Sequence, residues 1–173
     1  MKLITQVLRR AADRPNMSLS EISTALWRER NLLEMLLFKL DEEQLLLAAG
    51  RSRWLAPATR EVEAVLDEIR MTELLRASLV EAEAPSMGLG PNPSLRSLAR
   101  EAPTPWNDLL EEHRLAFLEL TDEISSVAQA NKQLLTRGAC ATRDLLDRAS
   151  RERKEGHRSG AVPDGSFLVD RAL

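Results

Sequence analysis

The 173-residue chain has no tyrosine and only three tryptophans and three phenylalanines. Sheets draw their packing from aromatic and β-branched side chains, so this poverty argues against a sheet protein. A single cysteine, Cys140, excludes an internal disulfide. No apolar run approaches the roughly 20 residues needed to span a bilayer. The net charge is only −3, and Lys and Arg alternate with Asp and Glu along the chain. Without a basic face there is no surface to track phosphates, and nucleic acid is not an expected partner. The two histidines, His113 and His157, lie far apart, and with Cys140 they lack the spacing of metal ligands. Neither a nucleophile-base pair nor a glycine-rich phosphate loop is visible. These absences together speak against an enzyme, a cofactor or a metal centre.

What the sequence does contain is leucine, 31 of them, in a chain of 29% charged residues. That is the composition of long amphipathic helices. The expected fold class is all-α: an antiparallel bundle of three long helices plus a short connecting helix, with coiled-coil-like packing. Residues 1–16 resemble a basic amphipathic extension without the apolar core of a secretory signal. Ser18 and Glu21, in "SLSE", have the spacing of a capping box, and the helical domain is expected to span 17–155. A flexible tail is expected over 156–173.

From Leu19 to Gly50 the apolar residues follow a helical wheel. Leu19, Ile22, Leu26, Leu33, Leu36, Leu37, Leu40 and Leu47 form one seam. Trp27, Met35, Phe38 and Leu45 form a second stripe opposite it, which needs either internal cover or a second molecule. Gly50 is placed to end this helix. A second helix is expected from about Ser52 to Ala84, with Pro57 near its first turn, folding back antiparallel on the first. The breaker-rich "APSMGLGPNP" reads as an exposed loop. A short helix follows, Ser94 to Ala102, capped by Ser94 and carrying Leu95 and Leu98 inward.

Thr104-Pro105 is expected to open the last helix, with threonine as N-cap and proline at the first helical position. Its seam is a heptad: Trp106, Leu110, His113, Phe117, Leu120, Ile124, Val127, Asn131, Leu134, Gly138, Ala141, Leu145. If it runs to Glu155 it is about 75 Å long, against about 50 Å for each earlier helix. Its end, with Leu145 and Leu146, would then lack intramolecular cover unless Gly138 breaks the rod or the tail folds over it. Asn131 interrupts the leucine seam; a buried polar residue at such a position fixes register between helices. His113 reads as a partly buried core residue. The acidic runs at 41–43 and 111–112 read as solvated faces.

Two stretches carry a family resemblance: "LWRERNLLEMLLFKLDEEQLLLAAGRSRWL" in the first hairpin and "LTDEISSVAQANKQLL" in the last helix. The chain resembles the FlgN family of flagellar export chaperones, over roughly residues 19–150. The family's C-terminal pattern falls here on Leu120, Ile124, Asn131, Leu134 and Leu135. Where many members have a second asparagine this chain has Ala128, and without any tyrosine no tyrosine-dependent contact carries over. The resemblance implies a cytoplasmic, non-catalytic chaperone. It would bind the terminal helices of hook-filament junction proteins, prevent their premature assembly and deliver them to the flagellar export apparatus. It also implies client binding in the C-terminal region, hence the candidates Asn131, Leu134, Leu135, Leu145 and Leu146. The apolar cluster Phe167, Leu168 and Val169 in the tail is a candidate docking motif. Trp27, Met35, Phe38 and Leu45 are a candidate second interface, through which the chain could form a homodimer. The rival reading is a self-associating coiled-coil structural or adaptor protein.

Overall fold

A computed structural model describes the backbone of residues 2–159 and the side chains of residues 18–154. Helix α1 spans Lys2–Ala48, α2 Ser52–Glu83, α3 Leu95–Glu101 and α4 Trp106–Ser159. A 3-10 turn, Ala84–Met87, follows α2. No strand occurs among the described residues, as the leucine-rich, aromatic-poor composition requires. The chain divides into two compact units, Met1–Leu134 and Leu135–Leu173.

In the first unit α1 and α2 form the expected antiparallel hairpin. Gly50, with φ at 64°, closes it in a left-handed cap. The amide of Gly50 donates to Leu47 O at 3.2 Å and that of Arg51 to Leu46 O at 2.9 Å, the paired bonds of a Schellman turn. α4 then runs parallel to α1, because His113 lies beside Trp27 while Asn131, further along, reaches Leu40.

Three local expectations are corrected. α1 does not begin at Ser18: it is continuous from Lys2, so Ser18 and Glu21 lie within the helix and form no capping box. Apart from Pro15 the upstream stretch holds no helix breaker, and its Lys, Leu, Arg and Ala residues favour propagation. Pro57 lies inside α2, in its second turn. At the start of α4, Pro105 takes the cap position, its carbonyl accepting from the Leu109 amide at 3.3 Å, and Thr104 sits in the preceding turn. The Thr104-Pro105 peptide is cis. By contrast Ser94 caps α3 as expected, its hydroxyl accepting from the Ser97 amide at 3.1 Å.

The core is layered. One apolar cluster joins Leu19, Ile22 and Leu26 of α1 to Val80 of α2, Leu98 of α3 and Leu110 of α4. A second joins Leu36 and Leu40 to Val62 and Ile69, with Ile124 and Val127 of α4 packed against it. The predicted seam of α1 therefore faces inward, and that of α4 does so as far as Leu134, whereas its last members, Gly138, Ala141 and Leu145, are exposed. Each fully buried leucine contributes about 2 kcal/mol. Surface ion pairs such as Arg70-Asp67 contribute about 0–1 kcal/mol each, so the leucine clusters carry the stability.

Between the clusters lies a polar layer. Glu29 of α1, almost wholly buried, accepts from Arg76 of α2 at 2.6 and 3.4 Å. Burial raises the Glu29 pKa above the usual carboxylate value, and Arg76 opposes the rise. His113 of α4 is only 1% exposed, buried more completely than its heptad position suggested. Its ring meets Trp27 edge-on at 4.8 Å, and neither ring nitrogen has a hydrogen-bond partner.

Burial, and secondarily the Arg30 charge, hold the His113 pKa below its ordinary 6.5. The unfolded chain takes up a proton near pH 6.5 that the folded chain refuses. Stability is therefore full above that pH and falls as the pH drops below it, by up to about 1.4 kcal/mol per pH unit. Urea melts at pH 7.5 and 5.5 should show this loss in the native protein and a shallower one in His113→Leu. An equal loss in both would assign the acid sensitivity to other groups.

Candidate functional site

The end of the first unit is closed by a polar node that joins all three long helices. Asn131 of α4, 3% exposed, donates from Nδ2 to the Leu40 carbonyl of α1 at 2.8 Å and to Glu43 Oε2 at 3.3 Å. Glu43 is buried in turn, and its Oε1 accepts from the Thr59 hydroxyl of α2 at 2.7 Å. The heptad places Asn131 on the seam, and the α1–α2 hairpin brings Glu43 opposite Thr59. The amide orientation is fixed by chemistry: turned over, its oxygen would face a carbonyl and a carboxylate. Asn131 Oδ1 itself has no partner.

Glu43 corrects the reading of residues 41–43 as a solvated face. Asp41 is exposed and Glu42 half-buried, but Glu43 points inward. Three consecutive acidic residues on a helix span some 200°, so one of them turns toward the bundle. At 111–112, Glu112 is exposed while Glu111 is half-buried and doubly bonded to Arg114 at 2.7 Å.

The other candidates separate from this node. Leu134 is half-buried at the end of the first unit. In the second unit α4 continues as helix through Gly138, which does not break the rod. Every residue from Leu135 to Lys154 is exposed: Leu135 at 48%, Leu145 at 65% and Leu146 at 64%. Cys140 is exposed as well. Phe167, Leu168 and Val169 lie outside the described residues.

The second stripe of α1 is at the surface. Trp27, Met35, Phe38 and Leu45 are 43–70% exposed. Beside Leu45 the hairpin end holds a cleft of about 520 Å³, lined by Leu46, Trp54, Pro57 and Ala58 and rimmed by Glu42 and Glu61. Those two carboxylates share Lys39 Nζ, at 2.8 and 2.7 Å. The sequence reading missed Trp54, whose only signal was an aromatic residue in an aromatic-poor chain. It also missed Leu115 and Leu118 of α4 and Met71, Leu74 and Leu75 of α2, all exposed by half or more.

Among the described residues no group of three or more His, Cys, Asp or Glu could hold a metal ion. No helix among them is long and apolar enough to cross a membrane. What the molecule offers is exposed leucine on long helices, suited to contact with other helices.

The node makes a stability prediction. Asn131→Leu removes the amide donor from a buried carboxylate and should cost about 1.5–3 kcal/mol in urea melts. Pairing it with Glu43→Leu should recover part of that loss, since the buried carboxylate is then removed while the Thr59 hydroxyl loses its acceptor. Additive losses in the double variant would mean the two side chains are not coupled.

A family model described as FlgN protein matches residues 17–158 of the chain. No curated protein and no solved structure matches it.

Proposed function

The chain belongs to the FlgN family of flagellar export chaperones, and from that premise we propose that it binds the terminal helices of hook-filament junction proteins in the cytoplasm and delivers them to the flagellar export apparatus. The observation that carries this reading is the leucine face of the second unit. Leu135, Leu145 and Leu146 are about half to two-thirds exposed on a stretch of α4 that lies within the family-matched region. Amphipathic client segments bind by laying their apolar face on such a surface, and while they lie there they cannot pair with one another. Asn131 takes a supporting role: its node with Glu43 and Thr59 fixes the register of α4 within the first unit. The tail residues Phe167, Leu168 and Val169 are proposed as an accessory docking motif.

A second reading has its own observation. Trp27, Met35, Phe38 and Leu45 form a largely exposed apolar stripe on α1, the kind of surface through which an adaptor self-associates.

Light scattering on the purified chain, alone and with a peptide of the junction protein's terminal helices, separates the two. The chaperone reading expects a stoichiometric complex that Leu145→Glu/Leu146→Glu abolishes without lowering the melting temperature. A stable dimer that ignores the peptide and dissociates on Phe38→Glu/Leu45→Glu would establish the adaptor instead. Deleting residues 163–173 should weaken client affinity; unchanged affinity and export would remove the tail from the mechanism.

A further inference from the structure

A bundle helix ordinarily turns polar residues to solvent, yet the outward side of α2 carries an apolar patch. Met71, Leu74 and Leu75 are 69%, 66% and 50% exposed. At about 100° per residue they share about a third of the circumference with Ala64, Ser78 and Ala82, opposite the buried Val62, Ile69 and Val80. Met71, Leu74, Leu75 and Ser78 stand at i, i+3, i+4 and i+7. Four residues so spaced form the hole into which a neighbouring helix inserts a side chain. All four are exposed, so none of the described helices fills that hole. Beside Leu74 the surface continues into a cleft of about 440 Å³ lined by Ala77, Val80 and Pro93.

The charge around the patch has one sign. Residues 61–83 carry seven Asp and Glu against two Arg, a balance of −5. Both arginines are engaged: Arg76 with the buried Glu29 and Arg70 with Asp67, each at 2.6 Å. On the wheel Glu63 and Glu81 border the Leu74 side of the patch and Glu68 borders the Leu75 side. All three are exposed, and none forms an ion pair among the described residues. The remaining cation in line with the patch, Arg60, stands about 16 Å before Met71 along the axis.

Unpaired carboxylates on both edges of an apolar strip decide what can cover it. A second copy of the chain would bring the same acidic edges against these, which like charge opposes. Nucleic acid and an anionic lipid surface are opposed for the same reason. A helix with Lys or Arg along its edges gains on both sides, and its apolar knobs find a hole already formed.

We propose that the outward face of α2, centred on Met71, Leu74 and Leu75, docks an amphipathic helix of another protein whose apolar stripe is edged by Lys and Arg. The basic edges meet Glu68 on one side and Glu63 and Glu81 on the other. Methionine and leucine without cover adapt their rotamers to such a stripe. The site belongs to the first unit and does not depend on which client α4 takes, so it gives the chain a second partner beyond the chaperone reading.

The test uses the full chain and three labelled helical peptides. One has a leucine stripe edged by lysine, one has the same stripe edged by glutamate, and one keeps the lysine edges with serine in place of leucine. Fluorescence anisotropy should show the first binding about tenfold more tightly than either of the others, with affinity falling as salt is raised. Met71→Gln/Leu74→Gln, which keeps good helix formers at exposed positions, should weaken that binding about tenfold with the melting temperature unchanged. Glu68→Lys/Glu81→Lys should turn the preference toward the glutamate-edged peptide. Leu145→Glu/Leu146→Glu, the variant that abolishes client binding on the chaperone reading, should leave the affinity as it is. No binding of the first peptide, equal binding of all three, serine-peptide binding as tight as the first, or indifference to both α2 variants overturns the proposal. Loss of binding in Leu145→Glu/Leu146→Glu would put the peptide on α4 and overturn it as well.

Discussion

Leucine seams alone do not say how far one helix should slide along its neighbour. In this bundle the contact between Asn131 and α1 supplies that information. Its amide reaches one backbone carbonyl, that of Leu40, and one carboxylate, that of Glu43. A slip of a single turn, about 5.4 Å, would break both bonds and leave a buried carboxylate held only by Thr59. The Glu29-Arg76 pair makes the equivalent demand between α1 and α2. Apolar clusters supply the stability and the polar layers between and beyond them select one alignment, a division of labour known from coiled coils.

From Leu135 to Lys154 every position of α4 is exposed. That surface carries leucine without cover and a glycine in its middle. Neither helps an isolated bundle fold. A half-exposed leucine surface can bind without committing a complex to a permanent core, which is compatible with membership of a chaperone family.

Much of the fold was legible in the sequence because it depends on periodicity. The seams of α1 and α4, the glycine turn at residue 50 and the serine cap at residue 94 follow from local patterns whose physics does not change on folding. The helix starts at Ser18 and Thr104 were misjudged for a related reason. A capping motif is a local offer, and the backbone declines it where helix can continue, as at Ser18, or where the turn is made differently, as at Pro105. Asn131 was legible as a register residue, but its partners were not. Glu43 looked like one of three solvated carboxylates, and only the approach of α2 and α4 decides which of the three turns inward.

By itself, then, the sequence determined the all-α class, the hairpin, the heptad seam of α4 and the family resemblance, since all four are written in spacing along one chain. Tertiary structure decided what spacing cannot encode: that Glu43 and Thr59 complete the node at Asn131, that His113 is sealed against Trp27 without a hydrogen-bond partner, and that the second stripe of α1 stays at the surface. The reason is the same in each case. Burial and pairing are properties of residues distant in sequence, and they are set when helices choose which faces to bring together.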